Sequence, residues 1–147
     1  PFVNSYRRYV SGSQAPVNLQ WGYDNRTTGL RIPVSGPAAR RVENRIAGAD
    51  ANPYLVIAAS LAAGLAGMDE HLTPTAPLLI SDNAATLGYG LPRSFLPAHE
   101  RMAASASARR LLGDAFVTGF CAAKGVEYDS YLYEVSAWAR RFLLPQV

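Results

Sequence analysis

The sequence predicts strands and helices that are segregated along the chain, with strands up to about Arg45 and helices from Asn52 onward. Two observations carry this reading. Short β-rich segments separated by Gly, Pro, Asn and Asp fill the first part. Apolar and aromatic stretches of helical length, one opened by Asn52-Pro53, fill the rest.

Taken in order, Val17 to Trp21, Gly29 to Val34 and Arg40 to Ile46 read as short strands. In the third, a period of two places Arg41, Glu43 and Arg45 on one face and turns Val42 toward a core. Three charged side chains on one face need solvent, or a shared anion and cation, to neutralise them. Asn52 caps a first helix that starts with Pro53 and runs to about Gly67 or Met68. Its apolar run is shorter than the ~20 residues that span a bilayer, and its alanines and glycines supply little transfer energy. A buried helix is the expectation, not a membrane span. Residues 73–92 form a long Pro- and Gly-containing loop of the kind that serves function or a subunit contact. Helices follow from Phe95 to Ala104, from Ala106 to Leu112, and from Asp114 to roughly Leu144, with Gly125 as the place where the last can break.

Hydrophobic residues make up 49% of the chain and charged residues 17%, an ordinary globular balance that excludes disorder. The lone Cys121 cannot close an internal disulfide, which fits a reducing, cytoplasmic setting. Pro1-Phe2-Val3-Asn4 lacks a basic leader followed by an apolar block, and the chain starts without methionine in sequence that reads as structured, so further sequence is expected upstream. The formal charge of +3 is unevenly placed. Arg7, Arg8, Arg26, Arg31, Arg40, Arg41 and Arg45 face only Asp24, Glu43 and Asp50 in residues 1–50, whereas the remainder is close to neutral. Arginine is the fork-shaped donor suited to carboxylates and phosphates. Without a lysine-rich run or a basic helical stripe, these arginines favour a compact anion pocket over nucleic acid.

The segments Asn4-Ser5-Tyr6-Arg7-Arg8, Ala15-Pro16, Asn25-Arg26, Arg31-Ile32-Pro33, Arg40-Arg41-Val42-Glu43-Asn44-Arg45 and Ala49-Asp50-Ala51-Asn52-Pro53-Tyr54-Leu55 resemble, in order and spacing, the glutamine synthetases. Six motifs in register over about 50 residues are specific together, though each is weak alone, and the helical remainder is compatible with the family without identifying it. The resemblance implies an α+β fold, a curved and mainly antiparallel sheet presenting the arginines and backed by helices. It also implies that residues 1–147 are the C-terminal portion of the catalytic domain, with the N-terminal domain and the first part of the catalytic domain lying upstream. Relatives form homo-oligomeric rings with active sites between subunits.

The family's reaction phosphorylates the γ-carboxylate of glutamate with ATP, and an amine then attacks the acyl phosphate. Both steps gather negative charge and call for cations fixed in advance. By resemblance, Arg8 holds glutamate, Arg26 contacts the transferring phosphoryl group, and Arg31 and Arg41 bind the ATP phosphates. Arg45 lies near the substrate carboxylate and acyl phosphate, and Glu43 is one oxygen ligand of the Mg²⁺ or Mn²⁺ that bridges the phosphates. The family's other metal ligands would lie upstream.

The departures concern the acceptor. Gly12-Ser13-Gln14-Ala15-Pro16 stands where ammonia-using enzymes carry Gly-x-Glu-Ala-Pro, and Gln14 cannot act as the carboxylate base that takes a proton from ammonium. Ala38 replaces a lysine that many bacterial members place near ATP, and Ser81-Asp82-Asn83-Ala84-Ala85 lacks the tyrosine modified in some of them. Trp21-Gly22-Tyr23-Asp24-Asn25-Arg26 and Gly48-Ala49-Asp50-Ala51-Asn52 look more like the γ-glutamylputrescine (γ-glutamylpolyamine) branch. The reading is a glutamate–amine ligase with a polyamine or other organic amine as acceptor; the alternatives are glutamine synthetase using ammonia and a non-catalytic member of the fold. Elsewhere the bland roles prevail. Arg7, Arg40, Arg93 and Arg101 read as solvated, His71 and His99 as structural or surface, and Cys121 as an inert buried thiol. Trp21, Tyr128, Tyr131, Tyr133 and Trp138 read as packing aromatics, and Arg109-Arg110 as an exposed helix end.

Overall fold

The computed structural model describes residues 1–10 and 15–146. Three strands form one small sheet in the order β1 (Trp21–Tyr23), β2 (Leu30–Ile32), β3 (Glu43–Asn44). The strand-then-helix division holds, and so does the α+β class. The sheet, however, is mixed: β1 pairs parallel to β2, and β2 antiparallel to β3. A mainly antiparallel sheet is therefore not what the described strands form.

The parallel pair is unusual because its connection, residues 24–29, is far shorter than an ordinary crossover. Side chains hold this tight excursion in place of a helix. Asp24 takes a left-handed φ of 48°, and Asn25 lies fully buried in the turn. Asn25 Nδ2 donates to Leu79 O (2.6 Å) and Asp82 O (2.9 Å), while its Oδ1 accepts from Thr27 N (2.8 Å) and Thr27 Oγ1 (2.7 Å). Thr28 Oγ1, also buried, bonds to Asn25 O and Leu30 O. Every polar atom of the Asn25 amide group is thus satisfied, as burial requires.

The long loop serves the sheet edge. Leu78 N donates to Trp21 O (2.9 Å), Leu19 N to Tyr89 O (3.0 Å) and Leu91 N to Val17 O (2.9 Å). Trp21 Nε1 donates to Thr75 O (2.7 Å). Residues 75–91 therefore cover backbone that would otherwise leave β1 with an open edge. Two glycines permit the close approach. A Cβ at Gly22 would stand 2.5 Å from Leu78 O, and one at Gly29 2.5 Å from Asn18 O.

The helices are α1 (Pro53–Asp69), α2 (Phe95–Ala103), α3 (Ala106–Leu112), α4 (Asp114–Leu132) and α5 (Ala137–Phe142). Asn52 caps α1 as its sequence demands, accepting from Tyr54 N and Leu55 N. The last helical stretch stops at Leu132 and restarts behind the Ser136 cap, so the break falls at residues 133–136 and not at Gly125, which stays within α4. Ser136 Oγ offers the chain a capping bond to Ala139 N (3.1 Å), whereas a glycine inside a helix costs only about 1 kcal/mol and is tolerated.

A small core joins the two halves: Val17, Ala84, Phe95, Val117 and Cys121 are buried. Phe95 stacks on Tyr128 (4.9 Å between centroids) and on His99 (5.5 Å), and His99 Nε2 lies 2.8 Å from Cys121 O. These contacts give His99, Tyr128 and Cys121 the structural roles expected of them. Arg110 is less idle than a helix-end arginine, since it ion-pairs with Glu70 (2.5 Å) at the end of α1. Helix α1 departs from expectation. None of its residues is buried, with Ile57, Leu61, Leu65 and Met68 all exposed. It is apolar on every side, and α3 packs against it.

Candidate functional site

The charged face is built by cross-strand register. Arg31 on β2 pairs directly with Glu43 on β3. Arg31 Nη1 lies 3.3 Å from Glu43 Oε2, and Arg31 Nη2 lies 3.6 Å from Asp24 Oδ1. Asp24 also accepts from Val34 N (3.2 Å), which fixes its carboxylate beside β2. Arg41 reaches Glu43 from the other side, with Nη2 at 2.9 Å and Nε at 3.1 Å from Oε1, and its Nη1 donates to Ala39 O. Glu43 is therefore held between two guanidinium groups.

Arg45 stands next to this trio and turns toward the residue 24–29 excursion, where its Nη1 donates to Arg26 O. Burial first, and then Arg31, lower the Arg45 pKa from its ordinary value; Glu43 opposes them, and Arg26 and Arg8 lower it further. Arg8, from the 3₁₀ turn Val3–Arg8, donates Nη1 to Ile46 O (2.7 Å) and Nη2 to Arg45 O (3.1 Å). Arg31, Arg26 and Arg8 thus all act on the charge of Arg45, while Arg41 is linked through Glu43. Gln14 lies outside the described residues. The strand expectation is met in part: β3 is only Glu43–Asn44, so Arg41 and Arg45 flank it instead of sharing a regular strand face with Glu43, and Val42, just outside it, is exposed and not turned toward a core.

Five guanidinium groups against Asp24 and Glu43 leave the face strongly positive. Arg31 Nε is buried and has no hydrogen-bond partner among the described residues, on a side chain only 14% exposed. An orphaned buried donor costs stability unless something accepts from it. Guanidinium groups suit phosphate and carboxylate oxygens, and five of them stand near one another here. A divalent cation has less to hold it. Among the described residues no three His, Cys, Asp or Glu side chains gather into a site, so Glu43 can offer one of the several oxygens a hard cation requires. The cavities of about 370 and 600 Å³ that border α1 are lined largely by apolar groups and include none of these arginines.

Residues 1–143 match the family model described as glutamine synthetase, catalytic domain. The chain belongs to the glutamine synthetase family. Type-1 glutamine synthetase 2 of Dictyostelium discoideum is 39% identical over 142 residues, which cover 94% of this chain and 27% of that protein. Glutamate–isopropylamine ligase of a Pseudomonas species is 54% identical over 79 residues, 54% of this chain and 17% of that one. Gamma-glutamylputrescine synthetase PuuA of Escherichia coli K12 is 54% identical over 72 residues, 49% of this chain and 15% of that one. The matched stretches cover 27% or less of the length of these relatives. No helix among the described residues is long and apolar enough to cross a membrane.

Sequence reasoning missed two residues that organise the face. Asp24 enters the sequence reading only through the charge balance and the Trp21–Arg26 motif, and nothing in the spacing says that it pairs with Arg31. Asn25 was visible beside Arg26, yet its burial and its strap to Leu79 and Asp82 depend on a contact more than 50 positions away.

Proposed function

We propose that the protein ligates an organic amine to the γ-carboxylate of glutamate at the expense of ATP, by way of a γ-glutamyl phosphate. The observation that carries the reading is Glu43 held between Arg31 and Arg41, with Arg45, Arg26 and Arg8 linked beside them, within a chain of the glutamine synthetase family. Arg31 and Arg41 hold the ATP phosphates, and Arg26, exposed at the tip of its excursion, contacts the transferring phosphoryl group. Arg8 holds the glutamate carboxylate, and Arg45 stands between the two substrates. Preset positive charge lowers the barrier for a reaction that crowds phosphate against carboxylate, because nothing must reorganise as charge shifts. Glu43 supplies one ligand of a Mg²⁺ or Mn²⁺ ion, which when bound neutralises phosphate charge. Its remaining ligands come from other parts of a longer catalytic domain, of which this chain is the C-terminal portion. In the second step the amine nitrogen attacks the acyl carbon, inorganic phosphate leaves, and the nitrogen gives up a proton.

The organic amine rests on Gln14, which cannot serve as a carboxylate base. It also draws on the 54% identity to two amine ligases over roughly half the chain. Ammonia is the second reading, favoured by near-full-length matches to proteins named glutamine synthetase, such as that of Clostridium saccharobutylicum (37% identical over 145 residues). The intact, cytoplasmic, ring-forming protein assayed with glutamate, ATP and a panel of ammonia, putrescine, isopropylamine and ethanolamine decides between them. The highest kcat/KM belongs to an organic amine on this proposal; a preference for ammonia overturns the acceptor, and no ADP release with any amine overturns the ligase.

A further inference from the structure

The 3₁₀ turn that carries Arg8 is fastened to the segment after β3 at both of its ends. At the far end, Arg8 donates to the carbonyls of Arg45 and Ile46, and Tyr9 Oη donates to Ile46 O (2.6 Å). At the near end, the buried Ser5 donates its hydroxyl to Asp50 Oδ2 at 2.5 Å and accepts from Phe2 N at 2.8 Å. A short bond from a hydroxyl to a carboxylate is of the charge-assisted kind, stronger than a neutral pair. Gly48 makes room for it, since a Cβ there would lie 2.6 Å from Asp50 Oδ1 and 3.8 Å from Arg8 Cδ.

We infer that Asp50 is a positioning residue for glutamate binding: through Ser5 it locks the Val3–Arg8 turn and so fixes the guanidinium of Arg8 beside Arg45. The inference rests on the reading of Arg8 as the glutamate-binding arginine. Asp50 touches no reacting atom. It acts because a turn of six residues has few bonds of its own to resist rotation. With only the Arg8 end fastened, the guanidinium can swing with its backbone. Misplacing a clamp by even about 1 Å is costly to a reaction that depends on orientation.

The test uses the intact protein and two readouts: glutamate affinity by calorimetry without ATP, and steady-state KM for glutamate and for ATP. Asp50→Ala raises both the glutamate Kd and the glutamate KM about tenfold or more, the worth of one charge-assisted bond, and leaves the ATP KM within about twofold. Asp50→Asn, whose amide oxygen still accepts from Ser5, recovers most of the affinity. Ser5→Ala repeats the Asp50→Ala effect, and the double variant is no worse than either single one. A folded Asp50→Ala protein with unaltered glutamate affinity, or Ser5 and Asp50 effects that simply add, overturns the lock. Should Asp50→Ala fail to fold, Asp50→Asn and Ser5→Ala carry the same comparison. Arg8→Ala is the reference: if it leaves glutamate affinity unchanged, the reading of Arg8 fails and the lock's role falls with it, whereas a lost affinity in Arg8→Ala beside normal Ser5 and Asp50 variants overturns the lock alone.

Discussion

Glu43 has two possible duties, partner to arginines and ligand to a cation, and Glu43→Gln separates them by size. As an ion-pair partner its worth is small. Arg41 is half exposed, and such a pair contributes about 0.2–1 kcal/mol. The Arg31 pair is better shielded, at 14% and 27% exposure, and a charge-assisted bond there contributes about 1.5–3 kcal/mol at most. Removing the charge also unpairs two guanidiniums, which makes the face more positive. A nucleotide offered without divalent cation should therefore bind Glu43→Gln as tightly as the native protein, or more tightly. As a cation ligand, by contrast, Glu43 supports charge neutralisation worth several kcal/mol in the transition state. Its loss should lower kcat about 100-fold or more and move the Mg²⁺ requirement to higher concentration. Fluorescence titration of a nucleotide analogue in chelator, set beside turnover over a Mg²⁺ series in the intact protein, measures both. A variant with kcat within about threefold of native and an unchanged Mg²⁺ curve would refute the ligand assignment.

Further expectations concern the frame of the site. Asn25→Ala strands the carbonyls of Leu79 and Asp82 and should destabilise the protein by about 1–3 kcal/mol in urea unfolding, with slower phosphoryl transfer because Arg26 sits at the loosened turn. Gly29→Ala drives a methyl into Asn18 O, a backbone atom that cannot swing aside; a soluble, fully active variant would contradict this packing. Burial, with Tyr9 beside it, raises the Tyr6 pKa to about 12 from an ordinary 10. A raised folded pKa means that the unfolded chain loses its proton first, so this contribution is intact below about pH 10 and declines as pH rises toward 12. Tyrosinate absorbance during alkaline unfolding reads it, and a phenol that ionises near 10 before unfolding would exclude it. Residues 1–147 alone should neither turn over ATP productively nor form a γ-glutamyl amide; product from the isolated piece would disprove that Glu43 needs ligands from elsewhere.

The parts of this site that were legible in the sequence are those fixed by short-range chemistry. Asn52-Pro53 announces a helix start because the cap and the proline act on the next turn alone, and α1 begins there. Arg41 and Glu43, two positions apart, meet as an alternating pair should, although the strand that was to align them is only two residues long. What stayed hidden depends on register and on distant backbone. The sheet direction could not be read, because a parallel pair with so short a connection exists only through Asn25 and its partners in the long loop. The buried state expected of α1 failed for a related reason: composition says that an all-round apolar helix wants cover, and cover is a property of whatever packs against it.

The same distinction explains why the arginines were readable as a candidate anion site while the acceptor was not. Positive charge adds up whatever its arrangement, so arginines in excess over three carboxylates in residues 1–50 already imply a binding face. The Arg45 pKa agrees with such crowding, since burial first and then the neighbouring arginines lower it. A cluster under that mutual repulsion is held together by hydrogen bonds to backbone carbonyls, at Ala39, Arg26, Arg45 and Ile46, and not by neutralising side chains alone. Such a cluster is more stable with an anion than without one. Choosing an amine needs no such excess of charge. It turns on the shape and basicity of a few groups where the nitrogen arrives, and Gln14 is the one such residue that the motif register supplies. On the proposed function, the anion half of the chemistry rests on a summed property of many residues, and the amine half on the chemistry of one.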